Sequence, residues 1–519
     1  MVKGRVFGYD IRVKIEEIKS PLPSRVPQGV KESVAQKLAT GEAGKVVEGG
    51  KKSSTKMVSQ VNEPEKKKMA PWIKIAGVGV VVVVVGLGLV SLLGKTGKKK
   101  EPAVTLNYWG LWEEEAVVEG VIADFESKNP EIKVNYTKSF QDNYRSRLAG
   151  RLEKDATQVE VPDVFRIHAS WLPMFTDKLA PVPKSTAQGL GLEEDFYDVY
   201  KRDLKRDGAF LAIPLMYDGL SLFYNKKLLE AGGVKLPKTW WGLESAAEKL
   251  TVRDEAGKIQ VAGAALGFVE NVDHWSDIVG LMMKQNGVEL EKDSVDSNKK
   301  LENVLAFYTL FATKTKSWDE YLPASTQLFA SGNLVFYFAP SWRVFDIEQM
   351  NPDLEYGITT VPQLPTLENV PPDQIDDLSA ENLTNVHWSS YWVEGVNNKS
   401  KNRAEAFAFL EYLASKEGLD RMYKTASQIR AFGEINPRKS MMAGMKTNDK
   451  VKAFVEAADY ASTGWTCSRT FDDGLNDQMN QYFKDAINSM VLGKSRVEAV
   501  APDLRNGINQ LVLKYQLNY

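Results

Sequence analysis

Seven of the twelve tryptophans in this chain fall in short polar segments that follow β-prone runs: Trp109, Trp112, Trp171, Trp275, Trp342, Trp388 and Trp392. The segments are 109–113, 166–171, 216–219, 268–275, 340–343 and 388–394, and they also carry Glu113, Tyr217, Asp218, Arg343 and Glu394. In α/β architectures, ligands collect at the carboxyl ends of the strands. A flat indole face beside a carboxylate or amide suits a sugar ring, whose C–H face is apolar and whose hydroxyls each need a partner once removed from water. The plain alternative for any one of these tryptophans is a place in the core. Asp218 could equally satisfy its own turn, and Arg343 could pair with a neighbouring acid or with an anionic ligand.

Reaction chemistry finds little support. The chain has no G-x-S-x-G, no H-E-x-x-H and no Cys–His arrangement, so no catalytic residue is expected. Residues 88–96 read G-x5-G-K-T, one residue too long for a phosphate-binding loop. The single Cys467 excludes an intramolecular disulfide and a cysteine-based zinc site. With three histidines in all, His168 and His274 read as hydrogen-bonded residues, and no metal or cofactor is expected. An extracytoplasmic glycosidase would need a carboxylate pair, Asp218 with Glu113 or Glu394, whose separation the sequence does not give.

The elements that position these residues alternate. Residues 104–109 and 132–136 read as strands, with an amphipathic helix over 113–128 between them that places Val117, Val118, Val121, Ile122 and Phe125 on one face. A helix over 144–152 and a strand starting at 162–165 continue the pattern, which predicts a parallel α/β architecture. The run 209–214 reads as one buried strand ended by Pro214, and 220–224 as the next. Asn225 opens a helix that Gly232-Gly233 stops. Helices follow over 244–250, 303–313, 404–414, 449–460, 475–491 and 496–513, with an exposed Pro- and Asp-rich loop over 363–385. Trp240 and Trp241 open a helix and read as packing residues.

The first hundred residues differ in kind. Residues 1–71 carry 15 Lys/Arg and 8 Asp/Glu without sustained periodicity, which predicts a disordered basic tail. Residues 75–93 hold no charge and include six valines at 80–85, long enough to cross most of a bilayer. Trp72 offers an interfacial anchor, so 72–94 is expected as a single transmembrane helix and 95–102 as a basic tether. Lysines flank the run on both sides, leaving its orientation open. The remainder, 101–519, has a net charge of −14, which argues against nucleic acid as a partner.

The stretch 208–241, strand–Pro–turn–strand–YNK–helix–Gly–P-x-T-W, resembles the extracytoplasmic solute-binding proteins of ABC importers, the maltose-binding group most nearly. Segments 329–342, 356–362 and 433–437 match that family in order, and the resemblance covers about 103–519. It implies a two-lobed, type II-like clamshell, lobe 1 being about 103–215 plus 396–433 and lobe 2 about 219–393 plus 437–519. It further implies an ABC permease as partner, a small-molecule ligand (a carbohydrate) trapped by hinge closure, and an extracytoplasmic domain, which the helix expected over 72–94 would anchor in the cell membrane. By the same resemblance Trp109 and Glu113 stand in the first cleft loop, Asp218 at an acidic hydroxyl acceptor and Trp342 at a stacking position. Two places depart from the maltose binders: their Asp-Arg pair reads Ser170-Trp171, and their late tryptophan has no match, Trp465 lying upstream. A ligand-sensing adaptor on the same fold is the other reading, favoured by the long N-terminal extension.

Overall fold

The computed structural model describes Arg5–Val6, Tyr9–Asp10 and residues 104–154, 159–290, 294–367, 370–467 and 474–517. The expected transmembrane run 72–94 and tether 95–102 lie outside the described residues, as does the expected tail apart from the first two pairs. Among the described residues no helix is long and apolar enough to cross a membrane.

Two mixed sheets organise the chain from Val104 onward. The strands are β1 (Val104–Gly110), β2 (Ile132–Lys138), β3 (Val164–His168), β4 (Ile213–Pro214) and β5 (Ser221–Asn225). They continue with β6 (Val252–Arg253), β7 (Ile259–Ala264), β8 (Leu334–Ala339), β9 (Tyr356–Thr359) and β10 (Trp392–Val396). The first sheet has the order β2-β1-β3-β10-β4, the second β6-β7-β8-β5-β9. A parallel architecture was the expectation. Instead β10 runs antiparallel to β3 and β4, and β5 antiparallel to β8 and β9. Both reversed strands follow a crossing: β5 is where the chain first enters the second sheet, and β10 is where it returns to the first. This makes a two-lobed α/β fold.

Local chemistry explains most element boundaries. The helix Glu115–Lys128 buries Val117, Val118, Val121, Ile122 and Phe125, the face expected from their spacing. The Asn225 side chain accepts the Leu228 N–H at 3.1 Å and starts the helix Lys226–Ala231. Thr239 caps Trp240–Leu250 in the same way, and Trp240 is fully buried, its indole N–H on Gln285 at 2.6 Å. The run 209–214 is not one strand. Asp207 and Gly208, at φ 52° and 79°, turn Ala209–Phe210 back on Lys205–Arg206, and Ile213–Pro214 alone joins the sheet. The loop 363–385 is also less exposed than expected, since Leu364 and Ile375 are buried.

The chain passes between the sheets in segments that lie side by side. Tyr217 N–H donates to Ile435 O at 2.7 Å, Leu220 N–H to Trp388 O at 3.0 Å, and Ser390 N–H to Asp218 O at 3.0 Å. After Pro437 the chain reaches the second lobe, where Phe454 packs on Phe223 of β5. Gly219 permits the closest approach: a Cβ there would lie 2.1 Å from the Trp388 carbonyl oxygen. The atoms it would meet all belong to backbone, so they cannot step aside cheaply. Gly219→Ala is expected to cost about 2 kcal/mol or more through overpacking, read as a lowered Tm. Gly444→Ala, with open space around it in a helix, should be neutral or raise Tm, since alanine favours helix by about 0.5–1 kcal/mol.

Candidate ligand-binding site

Among the described residues, two of the cavities are lined by the crossing segment around Trp388. The larger, about 220 Å³, is walled by His168 and Ser170 at the end of β3, by 388–391, by the helix Trp275–Gln285 and by 463–467. The smaller, about 20 Å³, is bordered by Asp218, Asp277, Trp342, Trp388 and Trp392. Trp388 and Ser390 line both, so the two adjoin.

Asp218 holds the region together. Its Oδ1 accepts the Gly219 N–H at 2.8 Å and the Ser341 N–H at 3.0 Å, so the carboxylate clamps the loop after β8 against the first crossing. That loop carries Trp342, which meets His274 edge-on at 5.7 Å and lies 4.2 Å below the Arg343 guanidinium. Arg343 in turn donates to His274 at 3.0 Å and to Asp346 at 2.8 Å. The expectation that Arg343 pairs with an acidic neighbour therefore describes its geometry. Trp388 is buried and donates its indole N–H to Asp277 at 2.8 Å. Trp392 packs edge-on against Trp112 at 5.5 Å, Trp171 at 5.3 Å and His168 at 5.1 Å. His168 is hydrogen-bonded to Ser170 Oγ at 2.6 Å and Ser390 Oγ at 3.1 Å.

Asp218, Trp342, Trp388 and Trp392 thus converge at one place, with Trp112 and Trp171 packed behind Trp392. Trp109 is half-buried, its indole N–H 3.3 Å from Glu160 and its ring 5.7 Å from the Arg151 guanidinium. Trp275 is half-buried at the first position of its helix. Tyr217 and Glu113 line neither of these two cavities. Tyr217 is buried in the crossing against Tyr197 at 5.3 Å. Glu113 is buried on another side of the first lobe, where Arg430 holds it at 3.0 Å. Glu394 is likewise away from both cavities, paired with Arg166 at 2.5 Å inside the first sheet. Asp218 thus borders the smaller cavity, while Glu113 and Glu394 are engaged by Arg430 and Arg166.

Sequence reasoning missed one wall. Residues 463–467, with Trp465 and Cys467, reach the larger cavity because Ala461–Ser462 pairs with His387–Trp388. A two-residue pairing across more than 70 positions leaves no local signal. Arg202, Asp203, Arg206 and Lys284 also line that cavity and carry no motif.

The first lobe also holds buried charges. Glu394 also accepts the Tyr108 hydroxyl at 3.1 Å; burial pushes its carboxyl up, opposed by Arg166. Burial likewise works to raise Glu113, but Arg430 and a hydrogen bond from Glu434 hold it below the usual carboxylate range. Glu434, next to Ile435 that accepts the Tyr217 N–H, is pushed up to about 8 by burial and by the Glu113 charge. Glu113 and Glu434 therefore share one proton near neutrality.

The chain belongs to the bacterial extracellular solute-binding proteins, whose family pattern matches residues 120–456. Among its relatives is the multiple sugar-binding protein of Streptococcus mutans, 24% identical over 357 residues, 65% of this chain and 79% of that protein. The acarbose-binding GacH receptor of Streptomyces glaucescens superposes with a TM-score of 0.58 at 18% identity, covering 79% of this chain and 99% of that one. The sugar-binding protein MalE of Xanthomonas citri gives a TM-score of 0.60 at 18% identity, covering 79% and 98%.

A carboxyl raised in the folded state binds its proton where the unfolded chain has released it, so stability falls as pH rises from the unfolded value, 4.5, through about 8. Glu434→Gln removes this titration. The Tm of the variant relative to the wild type is expected to climb between pH 5 and 8; a constant difference would contradict the shared proton.

Proposed function

We propose that this protein is the ligand-capturing receptor of an ABC importer and that its ligand is a sugar or oligosaccharide, held between two lobes that close by a hinge at the crossings. One observation carries this reading: Trp342, Trp388 and Trp392 border one cavity with Asp218 and Ser390, and Trp388 and Trp465 border the adjoining one with Ser170 and Ser390. Indole faces cover the C–H side of a sugar ring, while carboxylate and hydroxyl groups replace the water lost by its own hydroxyls. Relatives that bind sugars support the same ligand class. A receptor needs no reaction chemistry, and the relatives and structural neighbours cited above are binding proteins. In this reading residues 72–94 anchor the protein in the cell membrane, 1–71 remain inside, and the domain from 103 works outside the cytoplasm and delivers its ligand to a permease.

The test is calorimetric titration of the full chain with mono-, di- and oligosaccharides, thermal shift serving as the screen. A micromolar ligand should weaken about 30-fold in Trp342→Ala and in Asp218→Ala, the effect of losing about 2 kcal/mol at a buried anchor. Hydrolysis of the bound sugar would point to an enzyme instead. For the anchor, the full chain should stay in carbonate-washed membranes and the chain lacking 72–94 should be released. Retention of the shortened chain would remove the anchor from this account.

A further inference from the structure

Among the described residues, the lining of the smaller cavity includes Trp342 but neither Arg343 nor His274, yet both of these grip its indole. The Arg343 guanidinium lies 4.2 Å from the centre of the ring, and His274 meets the ring edge-on at 5.7 Å. Arg343 Nε donates to His274 Nε2 at 3.0 Å, so the three side chains close a triangle. The contacts are made away from the side that the indole presents to the cavity. Arg343 stands at the first position of the helix Arg343–Met350, where the helix macrodipole disfavours a cation. Its Nη1 donates to Asp346 at 2.8 Å, which offsets that cost and fixes the plane of the guanidinium.

His274 joins this triangle to Trp388, which borders the same cavity. A guanidinium has no acceptor, so His274 Nε2 receives the hydrogen bond on its lone pair and the ring carries its proton on Nδ1. That nitrogen lies 3.9 Å from Asp277 Oδ2, and Asp277 Oδ1 accepts the Trp388 indole N–H at 2.8 Å. His274 and Asp277 are both buried. One chain of side chains therefore runs from Trp342 through Arg343, His274 and Asp277 to Trp388. Asp218 fixes the backbone just before Trp342 through the Ser341 N–H, but an indole can still turn about its own two side-chain bonds. Holding the ring in place beforehand spares a ligand the entropy of immobilising it.

Resting on the reading of the cleft as a sugar site, we propose that Arg343 and His274 are positioning residues that lock the Trp342 indole in its sugar-stacking orientation, Arg343 acting on the ligand only through that indole. The Arg343 charge then serves Trp342 and Asp346 and is not a receptor for an anionic group on the ligand.

A double-mutant cycle tests this, by calorimetry on the full chain with whichever of maltotriose, mannobiose and galactobiose it binds most tightly. Arg343→Gln should weaken binding about fivefold, the effect of one cation–π contact. It should make no further difference once Trp342→Leu has removed the aromatic face. His274→Leu should weaken binding to a similar degree, and His274→Gln, which restores an acceptor for Arg343, should recover most of that loss. In fluorotryptophan-labelled protein without sugar, the Trp342 fluorine resonance, identified by its absence in Trp342→Leu, should move or broaden in Arg343→Gln. Equal weakening by Arg343→Gln with and without Trp342 would mean that Arg343 meets the ligand itself, which overturns the proposal and leaves the sugar receptor standing. Full affinity in Arg343→Gln, with the resonance unmoved, does the same. No binding of these three sugars or of any other saccharide overturns the sugar reading and this proposal with it.

Discussion

Asp218 is the residue through which the two lobes are held in register. Its backbone carbonyl accepts the Ser390 N–H and the Ser389 hydroxyl, at 3.0 and 2.9 Å, and so joins the first crossing to the second. Its carboxylate accepts backbone N–H groups on both sides of the boundary, including Ser341 just before Trp342. A buried carboxylate is costly unless its lone pairs are filled, so this requirement ties an aromatic surface of the second lobe to the strand leaving the first. The absence of a side chain at Gly219 makes the arrangement possible. The conformation of the crossing decides which loops face each other, and every candidate contact with ligand follows from it.

A second constraint lies inside the first lobe. Arg166 on β3 and Glu394 on β10 are directly opposed across an antiparallel pair, both fully buried. Such a pair contributes little net stability, because removing both charges from water costs about as much as their attraction returns. Its effect is on register. A slip by one residue would leave both charges buried and unmatched, and would turn His168 and Trp392 away from each other. The edge-on contact of those two rings at 5.1 Å depends on this alignment. The polar core of the first sheet thus fixes the floor on which the tryptophans stand.

Much of the fold was legible because local rules were obeyed. The 3.6-residue spacing of Val117, Val118, Val121, Ile122 and Phe125 determined a buried helical face, and Asn225 with Gly232 marked both ends of a short helix. The order of strands, turns and tryptophans was enough to indicate the family. The same local rules failed where the chain departs from them: the start of the helix Val295–Thr313 is set by a Ser294 cap ahead of two polar turns, which hid its first eight residues. A hairpin with two left-handed residues split the run 209–214.

The site divides along the same line. Residue type and strand-end position by themselves determined that Trp342, Trp388, Trp392 and Asp218 were candidates, because strand ends in α/β sheets converge wherever the sheets meet. Only the tertiary structure decided that Glu113 and Glu394 turn to Arg430 and Arg166 instead. A carboxylate's partner depends on what lies within a few ångströms, and here those partners are 317 and 228 positions away. Trp465 and the cations of the larger cavity belong to the same class. They are brought there by pairings between distant segments, and the free energy of such pairings depends on the whole fold and on no window of sequence.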